Sequence, residues 1–178
     1  MYLSNAINHF KTITKHRHLV MLHCFKAGIP LQGLMHDLSK YSPAEFLVGA
    51  KYYQGTRSPN VAERLEKGYS SAWLHHKGRN KHHYEYWFDN NRDHDSLFPV
   101  KMPTKYIIEM FCDRVAACKV YKKDAYTDRS SIEYYNIHDY RVEMDPDTRA
   151  MLELLINMLA EKGERETFKY IRHMNKKG

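Results

Sequence analysis

The chain has no convincing stretch in which apolar and polar residues alternate, the pattern that a half-buried strand requires. Helical spacing recurs instead. Leu3, Ile7, Phe10, Ile13, Val20 and Phe25 keep roughly that spacing over residues 2–27, and Gly28-Ile29-Pro30 closes the segment. Residues 31–39 read as a short second helix. At Ser42-Pro43-Ala44-Glu45, Ser42 caps, Pro43 suits the first turn and Glu45 completes a capping box, which predicts a helix to about Tyr53. Gly55 and Pro59 place a loop at 54–60, followed by a helical turn at 61–67. Ser71 to His76 reads as a short apolar helix broken at Gly78-Arg79-Asn80, with Asn80 capping a further helix through Trp87. Residues 89–101, polar and rich in Asp and Asn, read as loop. Pro103 opens a long helix to about Lys123 with Ile107, Met110, Phe111, Val115 and Val120 apolar, and residues 130–136 make another turn. Asp145-Pro146 starts a helix whose buried stripe is Met151, Leu154, Leu155, Met158 and Leu159. Gly163 ends it, and 164–174 form the last helix. With no repeat and no dividing linker, the expectation is one all-α domain over residues 1–178, a helical bundle whose C-terminal helices occupy about 145–174.

At 178 residues such a domain can bury a real core. No apolar run reaches 18 residues, so no membrane-spanning helix is expected. Met1 to Ala6 lacks the basic-then-apolar pattern of a signal peptide. Cys24, Cys112 and Cys118 have no C-x-x-C spacing and sit at apolar helix positions, as buried reduced thiols of a cytoplasmic protein do. The net charge of +7 favours anionic partners. Basic residues are spread along the chain and only Lys169 to Lys177 is locally rich, so small phosphates are favoured over nucleic acid. The apolar stripes of the last two helices either close the core or form a homodimer face. No phosphate-cradling G-x-x-x-x-G-K-[ST] loop, G-x-S-x-G elbow or H-E-x-x-H helix is present.

The chemistry lies in histidine and aspartate. Half of the 12 histidines fall at His16, His36, His75, His76, His82 and His83, with Asp37 and Asp113 completing the pattern. Imidazole and carboxylate suit Fe, Mn, Co, Ni or Zn. His9, His16 and His23 are seven apart on one stripe, so at least one faces the interior. Adjacent helical residues point about 100° apart, so His36 and Asp37 reach one ion only at a helix end or by a side-on approach.

Leu34-Met35-His36-Asp37-Leu38-Ser39-Lys40 resembles the signature of the HD-domain superfamily of metal-dependent phosphohydrolases, in which His-Asp ends an apolar helix and a Lys follows. His16-Arg17-His18-Leu19-Val20 resembles the superfamily's first metal histidine, with His18 and His23 as alternatives, and Asp113-Arg114-Val115-Ala116 resembles its last ligand. Trp73 to Trp87 is similar to segments that supply two further histidines, His75 or His76 and His82 or His83. It is closer still to a small uncharacterised bacterial and phage family that shares the His-Asp-Leu-Ser-Lys segment and a late Glu-x-x-x-Asp. The resemblance covers about residues 5–120. It implies a bundle of the HD type and a first metal at His16, His36, Asp37 and Asp113. A second metal would take His76 and His82 or His83, with Asp37 bridging. One or two divalent transition ions follow. The implied reaction is hydrolysis of a nucleotide or other small phosphoester by water activated at the metal, with Asp37, Lys40 and Glu109 in the catalytic machinery. Glu109 shares a helix face with Asp113 and would orient a ligand. Lys40, Lys77 and Arg79, near the ligands in sequence, would hold the phosphate. The same ligands would serve a di-iron centre that oxidises a small substrate with dioxygen. A third reading is a non-catalytic nucleic-acid binder that stacks bases on Tyr52-Tyr53 and Tyr134-Tyr135.

Overall fold

Apolar residues on every side make α6 (Thr104–Lys122) the central helix. Ile107, Ile108, Met110, Phe111, Cys112, Val115 and Ala116 are all buried on it. In the computed structural model, which describes residues 2–93, 95–138 and 144–175, α6 packs between α1 (Tyr2–Ala27) and α8 (Pro146–Asn175). The remaining elements are α2 (Pro30–Met35), a 3-10 turn Leu38–Tyr41, α3 (Pro43–Lys51), α4 (Pro59–Lys67), α5 (Ser71–Lys77) and α7 (Ser130–His138). The fold is all-α, about 74% helical.

The span 89–101 is not all loop. Phe88–Asn90 (β1) pairs antiparallel with Leu97–Pro99 (β2), strands of three residues that are too short to leave an alternating pattern. Residues 81–87 do not form a helix; apart from a 3-10 turn at Tyr84–Tyr86 they are irregular. No helix among the described residues is long and apolar enough to cross a membrane. All three cysteines are free and buried.

Two helices bury faces other than those expected. On α1, Leu3, Ile7, Phe10 and Phe25 are exposed, whereas His9, Ile13, His16, Val20, His23, Cys24 and Ala27 are buried. Residues seven apart drift only about 20° round a helix, so the three imidazoles share one face, on which His16 and His23 meet α6 and His9 meets Phe46 and Gly49 of α3. Polar partners at His16 and His23, and not hydrophobicity alone, favour this side going in. On α8, Leu152, Leu155, Ile156 and Leu159 are buried and Leu154 is exposed, a stripe rotated from the expected one. With Phe168 and Ile171 it closes the core. Lys176 and Lys177, from the basic end of the chain, lie outside the described residues.

Gly163, at φ 78°, kinks α8 in a conformation that glycine adopts without strain. The next residue, Glu164, accepts from Lys26 Nζ at 2.6 Å and from Lys119. Lys119 Nζ in turn lies 3.1 Å from His23 Nε2. Arg172 donates to the Phe25 and Lys26 carbonyls and so caps α1.

These contacts make the fold acid-sensitive. Burial, then the charge of Lys119, lowers His23 to about 4, and burial, then Lys40, lowers His9 to about 4. Burial alone would raise Glu164, but bonds from Lys119 and Lys26 bring it to about 2. All three bind fewer protons folded than unfolded. Their stabilisation is therefore full above pH 6.5, falls between 6.5 and 4 through the histidines, and falls between 4.5 and 2 through Glu164. Each contributes a slope of about 1.4 kcal/mol per pH unit within its window. Urea midpoints of chelator-treated protein should fall from pH 6 to pH 4, and less steeply in His23→Gln. Midpoints that stay level over that range would contradict this.

Candidate metal centre

The segment expected as one helix over 31–39 is broken where the chemistry begins. α2 ends at Met35, His36 is extended (φ −54°, ψ 130°), and Asp37 is left-handed (φ 53°, ψ 24°). A left-handed residue with a Cβ costs roughly 1–2 kcal/mol, a strain typical of functional sites. The break removes the angular problem of adjacent helical residues, because His36 and Asp37 now face one centre. Arg17 on α1 fixes it, donating to the His36 carbonyl at 3.1 Å and the Leu34 carbonyl at 2.5 Å.

The double histidines arrive on a separately braced support. Ser70 caps α5, accepting from the Trp73 amide at 3.1 Å. Fully buried Glu63 accepts from the Ser70 and Ser71 hydroxyls at 2.7 and 2.6 Å. After α5, Asn80 caps no helix. Its amide donates to the His76 carbonyl at 2.8 Å and to Ser39 Oγ at 2.9 Å, and the turn it holds brings in His82 and His83.

Three groups of donor atoms lie within 4.8 Å of one another among the described residues. One, His36, His82 and Glu109, meets through the Nδ1 atoms; the other two share Asp37. Of these two sets, the first is His16, His36, Asp37 and Asp113; the second is Asp37, His76, His82 and His83. Asp37 Oδ2 faces His36 Nε2 at 3.3 Å and His16 Nε2 at 3.7 Å, while Oδ1 faces His76 Nε2 at 3.2 Å and His82 Nε2 at 3.5 Å. One carboxylate thus belongs to both sets. Asp113 Oδ1 closes the first at 2.9 Å from His16 Nε2. Of the alternatives for the first histidine, His18 is exposed and His23 is engaged at Lys119, which leaves His16. Both His82 and His83 join the second set, where one of them was expected. Consecutive residues in a turn can converge in a way that consecutive residues on a helix cannot.

The donor atoms fit divalent ions. Nε2 of His16, His36, His82 and His83 and both oxygens of Asp37 are buried without a hydrogen-bond partner of acceptable geometry. Buried polar atoms are nearly always paired; Lys40 Nζ reaches Asp37 Oδ2 at 2.6 Å and Asp113 Oδ1 reaches His16 Nε2 at 2.9 Å, and the remaining four atoms are orphans of the kind a metal site presents. The centre also calls for positive charge. Burial would raise Asp37, but His36, Lys40 and His76 hold it well below the usual carboxylate range. Burial would lower His36, yet Asp37 raises it to about 10.

Behind the ligands stand two carboxylates. Glu109 Oε1 accepts from His36 Nδ1 at 2.9 Å and from His82 Nδ1 at 3.1 Å, one histidine of each set. Glu45 Oε2 accepts from His76 Nδ1 at 2.8 Å, and its Oε1 from His75 Nδ1 at 2.7 Å. With Nδ1 donating outward, Nε2 is the nitrogen left for an ion. Glu109, expected to orient a ligand, bonds two of the candidate ligands, His36 and His82. Glu45 does not close a capping box, and Ser42 Oγ is buried without a partner. His75 supports Glu45 and joins neither set.

A cavity of about 660 Å³ adjoins the centre, lined there by His16, Lys40, Glu45, His76, His83 and Asp113. Lys40 Nζ lies 2.6 Å from Asp37 Oδ2. Lys77 and Arg79, expected to hold phosphate, are not among the lining residues, and Arg79 instead bonds the His75 carbonyl at 3.3 Å. Lys77 follows His76 on α5, where adjacent residues point about 100° apart, and Arg79 lies beyond the turn at Gly78, so nearness in sequence carries neither to the cavity. Arg57, Arg114 and Lys122 line the cavity in their place.

Fold and site together give an all-α protein with a buried His/Asp cluster that is braced by glutamates and whose donor atoms could hold metal ions. The chain belongs to DUF5662, a family of unknown function, which it matches over residues 5–158. No curated protein and no solved structure matches it.

Proposed function

We propose that the protein is a metal-dependent phosphohydrolase of the HD type, acting on a nucleotide or other small phosphoester. The observation that carries this reading is the pair of donor sets sharing Asp37 at the end of a cavity that also presents Lys40. Two divalent ions bound there would acidify water and neutralise charge on a phosphoryl group. Asp37 sets their spacing. Lys40, whose side chain is 29% exposed, can turn its ammonium from Asp37 to a phosphoryl oxygen as a point charge. Glu109 and Glu45 hold the imidazoles so that no reorganisation is needed. The order His16, His36-Asp37, His76, His82, Asp113 and the Lys40 spacing support the HD assignment by resemblance.

The test is phosphate release from a panel of phosphomonoesters by protein loaded with Mn, Fe, Co, Ni or Zn. Release should require metal, and Lys40→Ala should lower kcat/KM about 10- to 100-fold while its metal content stays measurable. No release on any metal, or release equally fast in chelator, would overturn the reading. One observation favours a second reading: the second set holds three imidazoles, a nitrogen-rich arrangement suited to iron. Iron-dependent dioxygen uptake in place of phosphate release would select it. Base stacking has less support, since Tyr52 and Tyr135 are buried and Tyr53 is bonded to Thr12.

A further inference from the structure

The cavity does not stop at the metal centre. It follows α1 from His16 back to His9, and seven residues of helix span about 10 Å. At that far end His9 lines the cavity although it is only 6% exposed, and its Nδ1 has no hydrogen-bond partner. The ring fits because residue 49 is glycine. A Cβ there would lie 2.2 Å from His9 Nε2. Glycine inside a helix costs roughly 0.5–1 kcal/mol relative to alanine, and here it makes room for a polar ring whose bonding capacity is unfilled. Beside it, Thr12 Oγ1 bonds the Asn8 carbonyl at 2.9 Å and meets Tyr53 Oη at 2.9 Å. With the Thr12 proton committed to Asn8, Tyr53 donates to Thr12 and keeps its own lone pairs for an incoming donor. Burial, then Lys40, lowers His9 to about 4, so this end of the cavity offers a neutral imidazole and a phenol oxygen.

We infer that His9, Tyr53 and Thr12 form a distal recognition subsite that hydrogen-bonds an uncharged polar ring edge on the organic part of the substrate. The inference rests on the phosphohydrolase reading, which places the phosphate at the Lys40 end. The substrate class is then an extended phosphomonoester whose ring lies about two helical turns from its phosphate, as in a nucleoside 5′-monophosphate. A short ester such as phenyl phosphate leaves the far end unfilled. Trp73, Tyr84 and Tyr121 add aromatic lining to the cavity.

The experiment compares wild type, Gly49→Ala and His9→Phe, with His9→Gln as the conservative variant. Gly49→Ala forces the packed His9 ring to shift, so its fold is checked by circular dichroism and melting, and His9→Phe and His9→Gln, which leave α3 unchanged, carry the test independently of it. Metal-loaded proteins are assayed on the four ribonucleoside 5′-monophosphates and on phenyl phosphate, and nucleotide binding is measured in parallel by calorimetry. The ratio of kcat/KM for the best nucleotide to that for phenyl phosphate should fall about tenfold in Gly49→Ala and His9→Phe, chiefly through KM, and recover in part in His9→Gln. An unchanged ratio, or equal losses on both substrates, would overturn the subsite. If wild type hydrolyses nothing yet binds a nucleotide in a His9-dependent way, the phosphohydrolase reading falls and the subsite stands. If nothing is hydrolysed and no nucleotide binds, both fall.

Discussion

Asp37→Ala is expected to empty both ion positions at once. Among the described residues Asp37 alone places one oxygen against His16 and His36 and the other against His76 and His82, whereas Asp113 reaches across only to His82, at 3.9 Å. Its loss removes an anionic ligand from each set and the link that sets their spacing. It also leaves Lys40 without the carboxylate 2.6 Å away, so a cation faces the ions where an anion stood. Affinity at both positions should drop by at least about 100-fold, since even residues that merely orient a ligand are worth 10- to 100-fold. Metal-dependent stabilisation should vanish with it, because an ion that binds only the folded chain raises stability in proportion to log affinity. Turnover should fall to background. Calorimetric titration with Mn or Zn and a melting curve with and without metal check all three. An Asp37→Ala protein that keeps one position at wild-type affinity would mean that the carboxylate is not shared.

The second large effect separates the two bracing glutamates. Glu109 bonds one histidine of each set, whereas Glu45 bonds His76 of the second set and His75 outside both. Glu109→Gln should therefore weaken both positions by about 10- to 100-fold, and Glu45→Gln the second alone by a similar factor. Glutamine keeps the size and one acceptor oxygen but loses the charge that makes a bonded imidazole a better ligand. Two-site titrations resolve the difference. Equal weakening of both positions by Glu45→Gln would show a general loss of structure, and no weakening by either variant would remove the glutamates from the account.

The all-α architecture was legible because helix punctuation is local. Gly28 and Pro30 end α1, Pro43 opens α3, Pro103 precedes α6, Pro146 opens α8 and Gly163 breaks it. Much of the centre was legible for another reason. The residue types and their order resemble a known pattern, and His16, His36, Asp37, His76, His82 and Asp113 do converge. What stayed hidden depends on contacts distant in sequence. Leu34 to Leu38 reads as continuous helix, and the left-handed turn at Asp37 appears only with the histidines from three other segments in place. Glu45 looks like part of a cap, and nothing local ties it to His75 and His76 thirty residues on. The buried face of α1 is favoured by partners for His16 and His23 on α6 and at residue 37, and Leu3, Ile7, Phe10 and Phe25 are left in solvent. His9 gave only its heptad phase; the glycine that houses it lies on another helix.

The measurement that bears most directly on this account is elemental analysis of freshly purified and reconstituted protein by plasma mass spectrometry, with Asp37→Ala alongside. Two transition-metal ions per wild-type chain, reduced to background in the variant, is the predicted result. No metal in the wild type even after reconstitution, or the same content in both proteins, would contradict it.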